Sequence, residues 1–309
     1  MKPKRAVLIA GPTASGKSAL ALAVAERAGH AVIVNADSMQ VYRDLTVLTA
    51  RPSAAEEARV PHALFGMVDG GQAYSVARYI EDAGRVLAAT WAEGRTAIVV
   101  GGTGLYFKAL LEGLSPVPAI EPAIRQRLRD QAAEAGAARM HALLAVEDPV
   151  MAARLVPTDT QRITRALEVI EATGRSLADW QLQPGSPVLD EARAACFVLT
   201  PPRKALLRRC DQRFDAMIDA GVIAEVMAFQ ARRLSPELPV MRALGVRPLI
   251  AHIEGRLPID AAGEQAKAET RQFAKRQMTW LKRHMIAWQR LEAQDIERNT
   301  EEIISIIDS

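Results

Sequence analysis

The run "VLIAGPTASGKSALALAVAE", Val7 to Glu26, constrains the fold more than any other stretch of the chain. The apolar "AVLIA" (6–10) leads into GPTASGKS, which fits G-x-x-x-x-G-K-[ST], and helix formers then run on to Gly29. A buried strand, a phosphate-cradling loop and a helix in this order begin a β-α-β unit of a parallel sheet. Gly11 and Gly16 let the backbone turn its N–H groups inward, and the helix N-terminus behind them adds a favourable dipole. Lys17 supplies a point charge and the Ser18 hydroxyl a Mg²⁺ ligand. Gly11, Pro12, Thr13, Ala14, Ser15, Gly16, Lys17 and Ser18 therefore read together as a phosphate-binding loop.

Further β-rich runs at 31–36 ("AVIVNA"), 96–101 ("TAIVVG") and 195–200 ("ACFVLT") supply the rest of a sheet. Residues 114–122, "LSPVPAIEP", read as a linker, and a helical pattern follows with no strand until "ACFVLT". The expected architecture is α/β. A P-loop NTPase-like parallel-sheet core is built from residues 1–115 and 194–309, with a helical insertion domain at 116–193 and a mostly helical C-terminal part.

Composition excludes several classes. The chain of 309 residues is 49% hydrophobic and 24% charged, in the range of ordinary globular domains. No apolar run approaches the roughly 18 residues of a membrane span, and the N-terminal apolar stretch is too short for a signal peptide. A cytoplasmic protein is expected. Cys196 and Cys210 are the only cysteines, and the five histidines are scattered, so neither a disulfide framework nor a zinc site is expected. The net charge is only +3, yet Lys267 to Arg290 holds seven Lys or Arg against Glu269 alone. The remainder is net acidic. A basic element on such a body suits a phosphate-rich partner, although a merely solvated helix face fits the same pattern.

The loop alone does not say which phosphates it holds. Chains that hydrolyse nucleotides carry an acid at the end of a second apolar strand, whereas "TAIVVGGTGLY" ends in glycines. The strand-end carboxylate here is Asp37 in "VIVNADSMQVYR". It reads either as a base acting on an acceptor or as a structural cap or Mg²⁺-water partner. The glycine-rich "GGTGLYFKALLEGL" is either a tight turn or places Thr103 at the ligand-binding edge of the sheet.

Taken together, GPTASGKS, "NADSMQVYR", "GGTGLYFKALLEGLSP", "DTQRITRALEVIEATG", "RCDQRFDAMIDAGVIAEV" and "AKRQMTWLKR" resemble the bacterial tRNA dimethylallyltransferase (tRNA isopentenyltransferase) family, in that family's order and over residues 7 to about 288. The resemblance implies that the loop holds the diphosphate of dimethylallyl diphosphate. The allyl group would pass to N6 of the adenosine adjacent to the anticodon in tRNA, with diphosphate released and Mg²⁺ as cofactor. The missing strand-end acid agrees with this, since no γ-phosphate needs handling.

By the same resemblance Asp37 is the general base, Thr13 meets the bridging oxygen of the leaving group, Arg213 reaches the diphosphate, and Ser18 is the metal contact. The implied contacts to the tRNA anticodon stem-loop are Asp37, Ser38, Met39, Gln40, Thr103 and Arg125. They continue with Gln161, Arg162, Ile163, Thr164 and Arg165, then Arg242, Gly245 and Arg247, and end with Lys275, Arg276, Gln277, Met278, Thr279, Trp280, Leu281 and Lys282. Two positions depart from the family pattern. Val246 stands where a tyrosine is usual, and Ala63 where a second histidine is common. Three rivals make different demands. A P-loop kinase needs ATP and a lid, an RNA-binding module leaves Asp37 without purpose, and an enzyme for free adenine nucleotides needs neither the insertion nor the basic helix. A monomer with no membrane association is expected.

Overall fold

The computed structural model describes residues 6–307. The first part of the chain runs β1 (Ala6–Ala10), α1 (Lys17–Ala28), β2 (Ala31–Asn35), α2 (Ala54–Arg59), a two-residue β3 (His62–Ala63), α3 (Val76–Ala92), β4 (Thr96–Gly101) and α4 (Gly104–Glu112). Four helices follow: α5 (Pro122–Glu147), α6 (Pro149–Arg154), α7 (Thr160–Thr173) and α8 (Leu177–Gln181). Then come β5 (Ala194–Leu199), α9 (Arg203–Asp219), α10 (Val222–Ala231), α11 (Val246–Ile253), α12 (Ile259–His284), β6 (Gln289–Leu291) and α13 (Ile296–Ile307).

The six strands form one all-parallel sheet in the order β3-β2-β4-β1-β5-β6. The apolar runs of the sequence follow from burial on both faces. Along β1, Leu8 and Ala10 join one core cluster with α3, α4 and the C-terminal helices, while Val7 and Ile9 join another with α1 and Ile303 of α13. The chain leaves β1 toward β2 and leaves β4 toward β5, on opposite sides of this adjacent pair. That reversal opens a crevice at the strands' carboxyl ends, where open α/β sheets bind ligands. GPTASGKS and GGTG are the two loops that border it.

The four sheet strands expected from sequence appear within a residue of their expected ends. The two missed ones, β3 and β6, are edge strands of two and three residues, too short for periodicity to register. Two compact units emerge: the chain up to Leu111 with the chain from Val188 onward, and Glu112–Pro187. The helical unit thus spans 112–187 where the sequence suggested 116–193. The amides of Val188 and Leu189 both donate to the Leu110 carbonyl at 3.0 Å, which ties the returning chain to the core unit. At the other end Gly113, at φ 76°, lies so close to Gly185 and Ser186 that a Cβ would sit 2.5 Å from the Ser186 nitrogen. Within the helical unit Gly136 breaks α5 at φ 75°, and Leu128, Met140, Leu144, Met151, Ile163 and Leu167 form its core.

Candidate active site

Lys17 opens α1, and Gly16 ahead of it takes φ 92°, the left-handed conformation that suits glycine. The Lys17 ammonium donates to the Pro12 carbonyl at 3.3 Å. Burial pushes its pKa down to about 8; the Asp37 carboxylate works against that shift, and Arg213 adds to it. The Ser15 hydroxyl is buried without a partner among the described residues. Ser15, Gly16, Lys17, Asp37 and Arg213 line a cavity of about 480 Å³ together with Ser18, Gln40 and Arg209. A half-buried Lys17 ammonium at a helix N-terminus, with the Arg209 and Arg213 guanidiniums lining the same cavity, has the chemistry to hold a phosphate-type anion.

A second cavity of about 300 Å³ adjoins the first. Its lining is largely apolar, with Met39, Leu48, Phe214, Met217, Leu244 and Phe273 among its walls. Thr13, Asp37, Thr49 and Arg213 line both cavities. The three residues expected to do the chemistry, Asp37, Thr13 and Arg213, therefore stand together where a charged chamber meets an apolar one. Arg213 on α9 donates to the Thr13 hydroxyl. Burial works against its charge, an effect that Cys210 and Asp37 offset.

The turn carrying Asp37 is held on every side. Asn35, fully buried at the end of β2, accepts from the Asp37 amide at 2.8 Å and donates to the Asp37 and Leu64 carbonyls at 3.0 Å each. The Asp37 carboxylate accepts from the Met39 amide at 3.0 Å, which aims it. Thr103 accepts from the Ser38 amide at 3.0 Å and donates to the Ser38 hydroxyl at 3.3 Å. Gln40 donates to the Thr49 and Ala50 carbonyls at 2.9 and 2.8 Å. The glycines of GGTG are there for close approach: a Cβ at Gly101 would lie 2.0 Å from the Ala36 oxygen, and one at Gly102 would lie 2.3 Å from the Gln277 amide nitrogen.

The residues expected to contact tRNA divide by exposure. Lys275, Arg276, Thr279 and Lys282 of α12 are exposed, as are Arg242, Arg247, Gln161 and Arg162. Arg125, Arg165, Met278 and Trp280 are half-buried. Four side chains are corrections. Ile163 and Thr164 are packed inside the helical unit, Leu281 belongs to the sheet core, and Gln277 is 6% exposed. Gln277 instead accepts from the Thr13 amide at 2.8 Å and donates to the Gly102 carbonyl at 2.9 Å. It staples the phosphate loop to the loop after β4. Its spacing with Ala274 and Leu281 marked the inward face of α12. Gly245 is also buried, and Val246 packs in the core, so the position usually held by tyrosine serves packing here. Arg209 lines the loop cavity and was missed because nothing in its local sequence distinguishes it from neighbouring Arg208.

The basic stretch also divides. Lys267 pairs with Asp215 at 2.7 Å and Arg271 with Asp211 at 2.6 Å, which ties α12 to α9. Those two cations are engaged within the protein, so the basic stretch is not uniformly available to a phosphate-rich partner. Lys275, Lys282 and Arg283 make no ion pair with a carboxylate among the described residues.

A parallel α/β fold with a phosphate loop at its crevice and a strand-end carboxylate beside an apolar chamber defines a transferase acting on a phosphorylated apolar group. Comparison with known sequences agrees. The IPP transferase model matches residues 40–284, and the isopentenyl transferase model matches residues 4–61. This chain belongs to the IPP transferase family. It is 54% identical over 281 residues to a tRNA dimethylallyltransferase of Methylocella silvestris, covering 91% of this chain and 92% of the relative. It is 50% identical over 304 residues to that of Parvibaculum lavamentivorans, covering 98% and 96%. Among solved structures it is similar to the tRNA isopentenylpyrophosphate transferase of Bacillus halodurans, with 28% identity, a TM-score of 0.70 and coverage of 99% and 97%. A eukaryotic dimethylallyltransferase caught acting on tRNA superposes with a TM-score of 0.79 at 26% identity, covering 95% of this chain and 75% of that one.

Proposed function

We propose that this protein transfers a dimethylallyl group from dimethylallyl diphosphate to N6 of the adenosine adjacent to the anticodon in tRNA, releasing diphosphate. The observation that carries the reading is the pair of adjoining cavities that share Asp37, Thr13 and Arg213. A donor of this kind has a charged end and a greasy end, and each chamber matches one of them.

The amine attacks the allylic carbon, the carbon–oxygen bond breaks, and diphosphate departs with the electron pair. Adenine N6 is a feeble nucleophile because its lone pair is delocalised into the ring. Asp37 accepts the N6 proton as the new carbon–nitrogen bond forms, the work of a general base. Charge grows on the departing diphosphate, where the loop amides, Lys17 and Arg213 are already in place to receive it. Thr13, which accepts from Arg213, presents its hydroxyl at the junction of the two chambers, where it would meet the bridging oxygen. The adenine leaves the anticodon-loop stack to enter the chamber.

Mg²⁺ fits the loop. The Ser18 hydroxyl is exposed beside the cavity that Asp37 also lines, and among the described residues no three His, Cys, Asp or Glu side chains gather into a metal cluster. Ser18 would hold such a cation through its hydroxyl, with substrate oxygens and water supplying the rest of its ligands, a donor set that suits Mg²⁺. When bound it neutralises diphosphate charge. No helix among the described residues is long and apolar enough to cross a membrane. We place the protein in the cytoplasm as a monomer, with tRNA phosphates meeting Lys275, Arg276 and Lys282.

The test is incubation with labelled dimethylallyl diphosphate, Mg²⁺ and bacterial tRNA. Label in tRNA, with equimolar diphosphate, is expected. Lys17-dependent ATP hydrolysis with unlabelled tRNA would overturn the reading.

A further inference from the structure

The "AGVIAEV" portion of α10 and its N-cap lies outside the chemistry described above, yet it sends one carboxylate into the site's scaffold. Glu225 accepts three consecutive backbone N–H bonds from a segment 177 to 179 residues earlier: Oε1 from Thr46 at 2.6 Å and Val47 at 2.8 Å, Oε2 from Leu48 at 2.8 Å. Successive amides converging on one point make an anion-binding concavity, and here the protein's own carboxylate fills it. The residues held this way, and those just after them, are walls. Leu48 lines the apolar chamber, Thr49 lines both, and Ala50 lines the loop cavity. The Thr49 and Ala50 carbonyls in turn hold Gln40.

The segment is neither helix nor strand, and Ala50 sits at φ 51°, a conformation that a residue with a side chain keeps only when its surroundings hold it. Leu48 is pressed against Gly245, where a Cβ would lie 3.1 Å from its Cδ1. The depth of the apolar chamber at Leu48 therefore depends on where its amide is anchored. We infer that Glu225 is a positioning residue that fixes the 46–50 segment as a wall of the donor site and thereby sets the length of prenyl group admitted. The inference rests on the prenyl-transfer reading.

Glu225→Gln keeps the shape but sets one acceptor oxygen and one donating amide against three N–H groups. With tRNA as acceptor, kcat/KM for dimethylallyl diphosphate is expected to fall about 10-fold to 100-fold, the worth of hydrogen bonds to a charged acceptor. Donor KM should carry most of that loss, and geranyl diphosphate should lose less, so that the preference for the short donor narrows. Amide exchange in a peptide covering 45–51 should quicken while that of β1 and α1 stays as in the parent. Glu225→Asp, charged but shorter, should fall between. The inference is overturned if the variant keeps both the parent's donor preference and its local exchange. It is equally overturned if exchange rises across the whole protein and kcat falls with donor KM and preference unmoved, the mark of a merely structural role. A parent protein that transfers neither donor overturns the prenyl-transfer reading itself, whereas a competent parent with an indifferent variant overturns only the role of Glu225.

Discussion

The two cavities that meet at Asp37 are built in opposite ways. The charged one is built around the phosphate loop, seven consecutive residues from Thr13 to Ala19 at a helix N-terminus, with Arg209 and Arg213 added. The apolar one is gathered from residues far apart in the chain, from Thr13 to Arg276. A diphosphate can be recognised by any backbone that turns its amides inward. An allyl group offers little beyond shape, and a purine adds hydrogen-bonding edges that only separated side chains can meet, so their chamber is assembled by the tertiary fold. A leaving group that is held tightly and an acceptor that is positioned at a base are what a group transfer from diphosphate requires.

If the charged chamber serves the donor alone, its loop lysine should matter to transfer and not to RNA. Lys17→Ala is expected to lower single-turnover transfer by about 10²–10³-fold, as loss of one preorganised group at a developing charge does. tRNA affinity in a filter-binding assay should be unchanged. A parallel loss of RNA binding would merge the two roles.

Gln277 sharpens the same contrast. Gln277→Leu leaves the Thr13 amide and the Gly102 carbonyl unpaired in a buried place, each costing about 1–3 kcal/mol. The melting temperature should drop by several degrees and transfer should fall, again with tRNA affinity preserved. Lost RNA affinity in a stable protein would return Gln277 to the RNA-contacting surface.

The depressed pKa of Lys17 predicts a pH dependence. Below about 8 the ammonium is charged and attracts the diphosphate; as pH rises through that value the free protein loses the proton, and donor affinity should fall by up to about tenfold per pH unit. A bound diphosphate favours the ammonium again, so calorimetry near pH 8.5 in two buffers of different ionisation heat should register proton uptake. Lys17→Ala should abolish both effects. Affinity that is flat from pH 7 to 9.5 would contradict the shift.

The smallest effect separates the two ends of α12. Lys275→Gln and Lys282→Gln should each flatten the salt dependence of tRNA binding by somewhat less than one unit of slope. Arg271→Gln should leave the slope alone, because its guanidinium already pairs with Asp211. Equal flattening by all three would erase the division.

The legibility of the molecule follows the same line. GPTASGKS could be read directly because phosphate binding is local chemistry written in contiguous residues. Asp37 was visible as a carboxylate at a strand end, and Arg213 only through family resemblance, since nothing near it in sequence says that α9 faces the loop. The inward face of α12 was misjudged at Gln277 and Leu281. Charge density drew attention to the helix, but the 274–277–281 spacing decides which side chains reach RNA. Lys267 and Arg271 looked like part of a basic row, because the acids that engage them through space, Asp215 and Asp211, lie over fifty residues earlier. Glu225 was invisible in the same way: its three partners are amides, which leave no trace in composition.

The central claim is that Asp37, at the junction of the two chambers, takes the N6 proton, and one substitution addresses it. Asparagine keeps the shape and can still accept the Met39 amide, but it cannot take up a proton. Single-turnover transfer by Asp37→Asn, measured across a Mg²⁺ titration with saturating tRNA and dimethylallyl diphosphate, should be slower by about 10²–10⁴-fold at every Mg²⁺ concentration, with both substrates bound as in the parent. Recovery of the rate at high Mg²⁺, or a loss below about threefold where a general base is worth at least a hundredfold, would contradict the account and leave Asp37 as a support for the metal.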